Sequence, residues 1–344
     1  ILHYMKPLKS ICILRLSSIG DVTHIVPIIN TIKKNSVETS ITWVIGSTEY
    51  QLVKTMPNIN FIVIDKNNFF DSVKKLRNLN NGNPFDVLLH MQVSLRSNLL
   101  SMFISANRKI GFNKKLSKNF HTLFIDESIK EKNDQHVLNT FILFLEKINI
   151  NDISYDWNIS ISNQKKMSTK YKKYFVINPF TSSRRFNYRE WDMNNYISIS
   201  EYVKNKFNIN TVVVGGNSFY EKNTSKIFDN YEFIFNLVGK TDLQDLYRLL
   251  QDSEFYLGPD SGTLHIASML KKKIIGLYAT SNPCRTGPFK NMSHTINLYP
   301  KAVKIYLNSD INSITWGKRV RSREAMNLIT IDDVKNKVNE ILSV

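Results

Sequence analysis

The run GPDSGTLHIA, residues 258–267, crowds a turn, a carboxylate, two hydroxyls and an imidazole into one short stretch. A buried strand reads as far as Leu257 and Gly258. Pro259 and Asp260 then turn the chain, and Ser261 or Asp260 can cap a helix whose first turn holds Gly262 and Thr263. The free N–H groups and dipole of such a turn favour anionic oxygens, most often phosphate. Gly262 lets a ligand approach the backbone, and His265, four residues after Ser261, can face the same side. An ordinary capped helix with a packed His fits the spacing equally. A second cluster, INPFTSSRRFNYREW (177–191), follows a strand with the hydroxyls of Thr181, Ser182 and Ser183 and the guanidinium groups of Arg184 and Arg185, which can bind phosphate bidentately. In a third, VVVGGNSFYEK (212–222), Gly215-Gly216 ends a strand and Glu221 could accept hydrogen bonds from ribose hydroxyls; taken alone, a solvated helix-surface glutamate is the simpler reading. Together the three loops describe a nucleoside-diphosphate pocket. With no GxxxxGK[ST] it is not a Walker A loop, and with no GxGxxG NAD is disfavoured. A fourth stretch, SSIGDVTH (17–24), has a strand-turn-helix setting but offers a carboxylate, Asp21, where a phosphate loop would offer bare backbone. A plain helix cap is the simpler reading of Asp21 by itself.

These loops need elements to hold them. Apolar runs alternate with amphipathic segments: strands near 11–16, 41–46, 61–65 and 85–91, with helices near 21–34, 47–56, 69–79 and 94–105 between or after them. Residues 112–132 are basic and polar, a helix follows near 134–148, and 160–173 reads as a linker. Alternation restarts with strands at 174–180, 211–216, 254–258 and 273–279, and helices at 192–206, 218–229, 242–251 and 261–270. Such alternation, with runs apolar on both faces, predicts two α/β units with parallel sheets. A last helix over 330–344 can be capped by Thr330 or Asp332.

Composition narrows the field less than the loops do. No apolar run is long enough to span a bilayer, and the opening ILHYMKPLKSICILRL is not expected to be a signal peptide, its apolar run being short and holding Arg15. Two cysteines, Cys12 and Cys284, have no metal-type spacing and fit a reduced compartment. The net charge of +17 allows nucleic acid, an anionic membrane surface or anionic substrates, while abundant Lys, Asn and Ile also fit drift in an AT-rich genome. No zinc finger, RGG tract or aromatic-basic ladder supports a nucleic-acid module.

The same stretches, in order, resemble the glycosyltransferase family 9 heptosyltransferases. The matching pieces are RLSSIGDVTHIVPIINTIKK, NPFTSSRR…REW, VVVGG…E, NLVGKTDLQDLYRLLQDSEFYLGPDSGTLHIAS and GLYATSNPCRTGPF, and they cover most of the chain. The late segment ITWGKRVRSREAMNLIT resembles a sub-branch that adds the first heptose to Kdo. The resemblance implies a GT-B fold: two facing Rossmann-like domains with parallel sheets and a deep cleft between them. It implies an N-terminal acceptor domain over 1–165, a nucleotide-sugar domain over 166–325, and a C-terminal helix over 326–344 packing back towards the N-terminal domain.

It also implies inverting, metal-independent transfer of L-glycero-D-manno-heptose from ADP-heptose to the lipopolysaccharide inner core, with Kdo-lipid A the favoured acceptor and no cofactor. Asp21 matches the catalytic base. Asp260, Ser261, Gly262, Thr263 and His265 match the donor turn; Thr181 and Ser182 match diphosphate-binding hydroxyls; Arg184 or Arg185 takes the place of a basic residue there. Glu221 matches the ribose-binding acid, and Lys240-Thr241 the segment beside adenine. Ser18, Gly20, Gln92, Arg96 and Arg108 match places near the acceptor. The Trp-Pro usual after the basic residue is replaced by Asn187-Tyr188. A helix N terminus favours the charged carboxylate, making Asp21 a weak base, which an oxocarbenium-like transition state with late proton loss tolerates. The expected partners are the nucleotide sugar, an acidic glycolipid and, through Arg96, Arg108, Lys109, Lys114, Lys115 and Lys118, the anionic inner membrane surface of a Gram-negative bacterium, with a cytoplasmic location and no nucleic acid. A same-fold transferase using another nucleotide sugar or a protein acceptor is the alternative reading, with a basic nucleic-acid-binding protein more distant.

Overall fold

The computed structural model describes residues 8–77, 79–159, 168–182 and 186–343, with the backbone alone at 80, 81, 168 and 169. Its chain divides into two compact units, Ile1–Ile161 and Ser162–Val344. In the first, strands β1 (Ser10–Leu14), β2 (Ser40–Gly46), β3 (Asn60–Ile64), β4 (Val87–His90), β5 (Lys109–Gly111) and β6 (Glu127–Ser128) form one parallel sheet in the order β3-β2-β1-β4-β5-β6. In the second, β7 (Tyr174–Ile177), β8 (Asn210–Val213), β9 (Ile234–Asn236), β10 (Phe255–Pro259), β11 (Lys273–Tyr278) and β12 (Ile296–Asn297) repeat it as β9-β8-β7-β10-β11-β12. This is the doubly wound, Rossmann-like order, made twice. The winding reverses between β1 and β4 and again between β7 and β10, where ligands bind beyond the carboxyl ends of the strands.

The central strands are buried on both faces, as continuous apolar runs such as Ile11–Leu14 and Trp43–Ile45 require. Helix Ile19–Asn35 buries Val22, Ile25, Val26, Ile29 and Ile32 and packs beside helix Val137–Lys147. Pro27 lies inside it and has no N–H for the Thr23 carbonyl four residues back. The Trp157 indole donates to that carbonyl at 2.9 Å, so a residue near the end of the unit repairs the gap. In the second unit, Trp191 closes the core and donates from its indole to the Ile329 carbonyl at 3.0 Å.

The terminal helix is Ile331–Leu342. Its apolar face, Val334, Val338 and Ile341, is spent in the core of the second unit, and Lys273 donates to the Ile341 carbonyl at 2.9 Å. Thr330 is its cap, in a reciprocal box with Asp333. Among the described residues, β5, β6, β9, β12 and helix Tyr299–Leu307 are not among the elements expected from the sequence, although the helix does space Tyr299, Ala302, Val303, Tyr306 and Leu307 at a helical period. The four strands are two or three residues long, too short for alternation to register. The helix expected over 218–229 breaks at Thr224 into a 3-10 turn, Ser225–Asn230. No helix among the described residues is long and apolar enough to cross a membrane.

Candidate active site

Four loops of the second unit leave the carboxyl ends of their strands, two of them on either side of the β7–β10 reversal. Ser261 caps helix Gly262–Met269, its hydroxyl accepting from the Leu264 N–H at 3.4 Å. Gly258, on β10, is a close approach: a Cβ there would stand 2.8 Å from the Asn178 carbonyl oxygen beyond β7. The Asn178 side chain crosses the reversal and donates to the Thr263 hydroxyl at 2.7 Å, while accepting from the Phe180 N–H at 3.0 Å. One asparagine thus fixes both loops.

Asp260 is the charged centre of this end of the sheet and is almost fully buried. Arg189 Nη1 lies 3.0 Å from its Oδ2, His265 Nε2 lies 3.7 Å from its Oδ1, and the hydroxyls of Ser281 and Thr286 donate to Oδ2 at 3.0 and 3.3 Å. Burial alone would raise its pKa, but His265, the Arg189 charge and Ser281 outweigh burial and hold the carboxyl well below the ordinary range. Arg189 also donates to Asn187 Oδ1 at 2.6 Å. Glu190 accepts from the Thr181 N–H at 2.8 Å and its hydroxyl at 3.2 Å, and from the Tyr220 hydroxyl at 2.9 Å. Asn187 donates to the Thr181 hydroxyl and the Ser182 carbonyl at 3.0 and 2.6 Å. Thr181 and Ser182 are therefore held in place from behind by Arg189, Glu190 and Asn187, none of them given a site role from the sequence. The available signal was an adjacent Arg-Glu pair just before a buried Trp, in a loop already rich in hydroxyls. Arg184 and Arg185 lie outside the described residues.

Glu221 closes the loop after β8. It accepts from the Gly216 N–H at 3.1 Å and from the Ser218 hydroxyl at 2.6 Å, forming a capping box. After β9, Gly239 takes a positive φ of 71°, Lys240 donates to the Asn236 carbonyl at 3.0 Å, and Thr241 precedes Asp242, the cap of helix Leu243–Asp252. All these segments belong to one end of one sheet.

In the first unit the β1–β4 reversal is bridged in a similar way. Gln92, just past β4, accepts from the Leu16 and Ser17 N–H groups at 2.6 and 3.2 Å. The Ser17–Ser18 peptide is cis. Ser18 is the cap of the helix and Asp21 occupies its third position, accepting at Oδ2 from the Ser18 N–H at 3.3 Å and the Ser18 hydroxyl at 3.0 Å, so Asp21 closes a capping box and is not itself the cap. Its carboxylate also pairs with Arg15, which is anchored on the Met91 carbonyl and lies over the Phe141 ring at 5.2 Å. The Asp21 side chain remains about one-third exposed, at 31%, so a solvent-side reactant can reach it. Gly20 sits buried in the same first turn, its carbonyl taken by the Thr23 hydroxyl at 2.6 Å. Arg96 donates to the Lys66 carbonyl, tying the loop after β4 to the one after β3.

Arg108 is not brought to this end. It precedes β5, at the level of Val87, about 10 Å along the strands from the carboxyl edge at His90. There it is bidentate to Glu127, at 2.7 and 3.3 Å, with Lys147 at 3.0 Å on the same carboxylate. The Arg108 hydrogen bond is the main reason that Glu127 is pulled down to about 2.

Two Rossmann-like units, one carrying nucleotide-type loops at its winding reversal and the other a carboxylate, are the make-up of GT-B glycosyltransferases. Residues 73–305 match the model of Glycosyltransferase family 9 (heptosyltransferase). The lipopolysaccharide core heptosyltransferase OpsX of Haemophilus influenzae is 30% identical over 340 residues, 97% of each chain. Among solved structures, a family 9 glycosyl transferase from Veillonella parvula is similar with a TM-score of 0.78 at 20% identity, over 98% of both chains. The Escherichia coli heptosyltransferase WaaC, solved with ADP, is similar with a TM-score of 0.73 at 16% identity, over 96% of this chain and 99% of that one. The chain belongs to glycosyltransferase family 9, the heptosyltransferases, and is a glycosyltransferase.

Proposed function

We propose that this enzyme transfers L-glycero-D-manno-heptose from ADP-heptose to the lipopolysaccharide inner core, on a Kdo hydroxyl of Kdo-lipid A, inverting the anomeric centre without a metal. The observation that carries the reading is the set of loops at the β7–β10 reversal. A capped helix start at 261–263 aims N–H groups and the positive dipole end outward, and Thr181 and Ser182 are braced beside it. The 30% identity to a lipopolysaccharide core heptosyltransferase supports the acceptor, and the ADP in a relative's structure supports the donor.

Heptosyl transfer makes two electrostatic demands. As the acceptor oxygen attacks the anomeric carbon, the bond to the diphosphate oxygen breaks and negative charge grows on the departing phosphate. Helix N–H groups and loop hydroxyls that are already oriented stabilise that charge without reorganising. The acceptor hydroxyl must also lose its proton, and Asp21 is the carboxylate assigned to receive it. It is paired with Arg15, and a carboxylate is a weak base towards a hydroxyl, so the proton transfers late, once the hydroxyl has become acidic. Glu221 and the Lys240-Thr241 segment are assigned to the ribose and the adenine. The direct test is a transfer assay with ADP-heptose and Kdo-lipid A, with donor affinity for ADP-heptose against UDP- and GDP-sugars measured by calorimetry. Asp21→Asn is expected to keep donor affinity and lose at least about 100-fold in turnover; full turnover removes Asp21 as base, and preferential binding of another nucleotide sugar removes the donor assignment.

A further inference from the structure

Helix Leu95–Ser101 leaves β4 and the loop 112–124 leaves β5, both at the end of the first sheet that carries Asp21. Leu95, Leu99 and Met102 recur at helical spacing and form one outward stripe, with Leu95 and Met102 55% and 61% exposed. In the loop, Phe120 and Leu123 are 76% and 77% exposed. These are large apolar side chains held in water, and the fold holds them there firmly. Asn119 and Phe120 both take left-handed backbone, φ 56° and 57°, a conformation that a bulky residue adopts only when its surroundings impose it. What imposes it is a buried clasp. Asn98 donates to the Asn119 carbonyl at 2.8 Å, His121 Nδ1 meets Asn98 Oδ1 at 2.9 Å, and the Phe112 N–H donates to His121 Nε2 at 3.1 Å. Gly111 makes room for it, since a Cβ there would come within 2.6 Å of Ile125. The clasp ties the loop to the helix, so the stripe and the loop tip form one rigid surface.

Charge says what covers this surface. Between Asp86 and Asp126 the sequence has no carboxylate, while Arg96, Arg108, Lys109, Lys114, Lys115 and Lys118 fall within that span. Lys114 and Lys118 are exposed beside the apolar tip, and Lys115 reaches Glu131. Exposed apolar side chains next in the chain to the exposed Lys114 and Lys118, in a span that holds no carboxylate, suit an interface of acyl chains under anionic headgroups. A protein partner of matching chemistry would bring its own carboxylates and would not require the apolar tips to stand proud on a strained turn.

We propose that Leu95, Met102, Phe120 and Leu123, with Lys114 and Lys118, dock the first unit on an anionic phospholipid bilayer, holding the Asp21 end of its sheet at the membrane surface. This deepens the glycolipid-acceptor reading and rests on it for its purpose, though not for its test. The test is co-sedimentation of the full chain with phosphatidylcholine vesicles, with and without phosphatidylglycerol, in the absence of nucleotide sugar and acceptor. The wild type is expected to bind the phosphatidylglycerol vesicles, and less as salt rises. Phe120→Asn/Leu123→Ser, chosen because Asn accepts left-handed backbone, is expected to bind at least about tenfold more weakly, with an unchanged melting temperature and unchanged transfer to a delipidated, water-soluble acceptor. Lys114→Ser/Lys118→Ser should weaken binding about tenfold or more, and Lys271→Ser/Lys273→Ser, removing as many charges from the second unit, should leave it within about twofold. Equal binding by the apolar variant, or equal loss in the Lys271/Lys273 control, overturns the proposal. Loss of transfer chemistry with vesicle binding intact would count against the heptosyltransferase reading alone.

Discussion

Asp21 has two duties that separate substitutions can tell apart. As the capping-box partner of Ser18 it needs only an acceptor atom at the right place; as a base it needs a charge. Asp21→Asn keeps the first and removes the second. It also leaves the mostly buried Arg15 without its countercharge, so it should cost about 1–3 kcal/mol of unfolding free energy, less than a fully buried pair because Asp21 is partly exposed, while turnover falls. Asp21→Ala removes both and should add a stability loss of about 1 kcal/mol, read from denaturant melts. Arg108 is the opposite case. Its guanidinium is consumed by Glu127, so Arg108→Ala should let Glu127 rise from about 2 towards its ordinary value near 4.3, seen by NMR titration. The stability cost should be no more than about 1 kcal/mol, because the pair is partly exposed, and the acceptor KM should not move. A raised KM would return Arg108 to the acceptor site. Sequence alone could nominate both residues but could not separate them. Asp21 follows the end of a strand and Arg108 precedes the start of one, and β5 is too short to be seen in the sequence.

At the scale of elements, Asp260 and Arg189 join the loop after β10 to the loop after β7. Asp260→Asn leaves the buried Arg189 without its countercharge, and should cost about 3–5 kcal/mol and weaken ADP binding. The sign of the pH effect follows from the depressed carboxyl. Asp260 stays charged in the fold where the unfolded chain would protonate, so its stabilisation is complete above the ordinary Asp value near 3.9 and drains away as pH falls below it. Chemical melts between pH 6 and pH 3, about the range over which unfolded aspartates titrate, should therefore show a shallower decline in the Asn variant than in wild type. The loops themselves were legible, because glycine, proline and hydroxyl clusters interrupt apolar runs where strands must end. The bracing behind them was not. Arg189, Glu190 and Asn178 act through partners far away in sequence, and no local spacing encodes those pairings.

At the scale of the molecule, the same winding order is built twice from dissimilar sequence, and each copy has its own buried core and its own bridged reversal. The second unit, expressed as residues 162–344, should melt cooperatively by circular dichroism and bind ADP by calorimetry; a molten chain would show that the first unit is needed for its folding. The fold class was readable because long central strands dominate each sheet. The terminal helix marks the limit of such reading: an amphipathic stripe announces that it must pack, but not on what.

The clasp in the first unit has one more consequence, at the level of a single proton. A backbone N–H can only donate, so His121 Nε2, facing that of Phe112, must carry a lone pair, and the ring must be the neutral tautomer protonated at Nδ1, with Asn98 Oδ1 accepting. His90, 4.5 Å away centroid to centroid, is buried beside it and is likewise held below its ordinary value, chiefly by burial. Burial pushes His121 down to about 4. The unfolded ring takes up a proton from about pH 6.5 and the folded one does not, so stability falls as pH drops through that window, and below about 4 the second proton must displace the Phe112 N–H. Ring nitrogen shifts should report one tautomer at neutral pH, and the Phe112 amide should lose its protection from hydrogen exchange on acidification. The exposed loop tip is thereby made rigid by the absence of a charge.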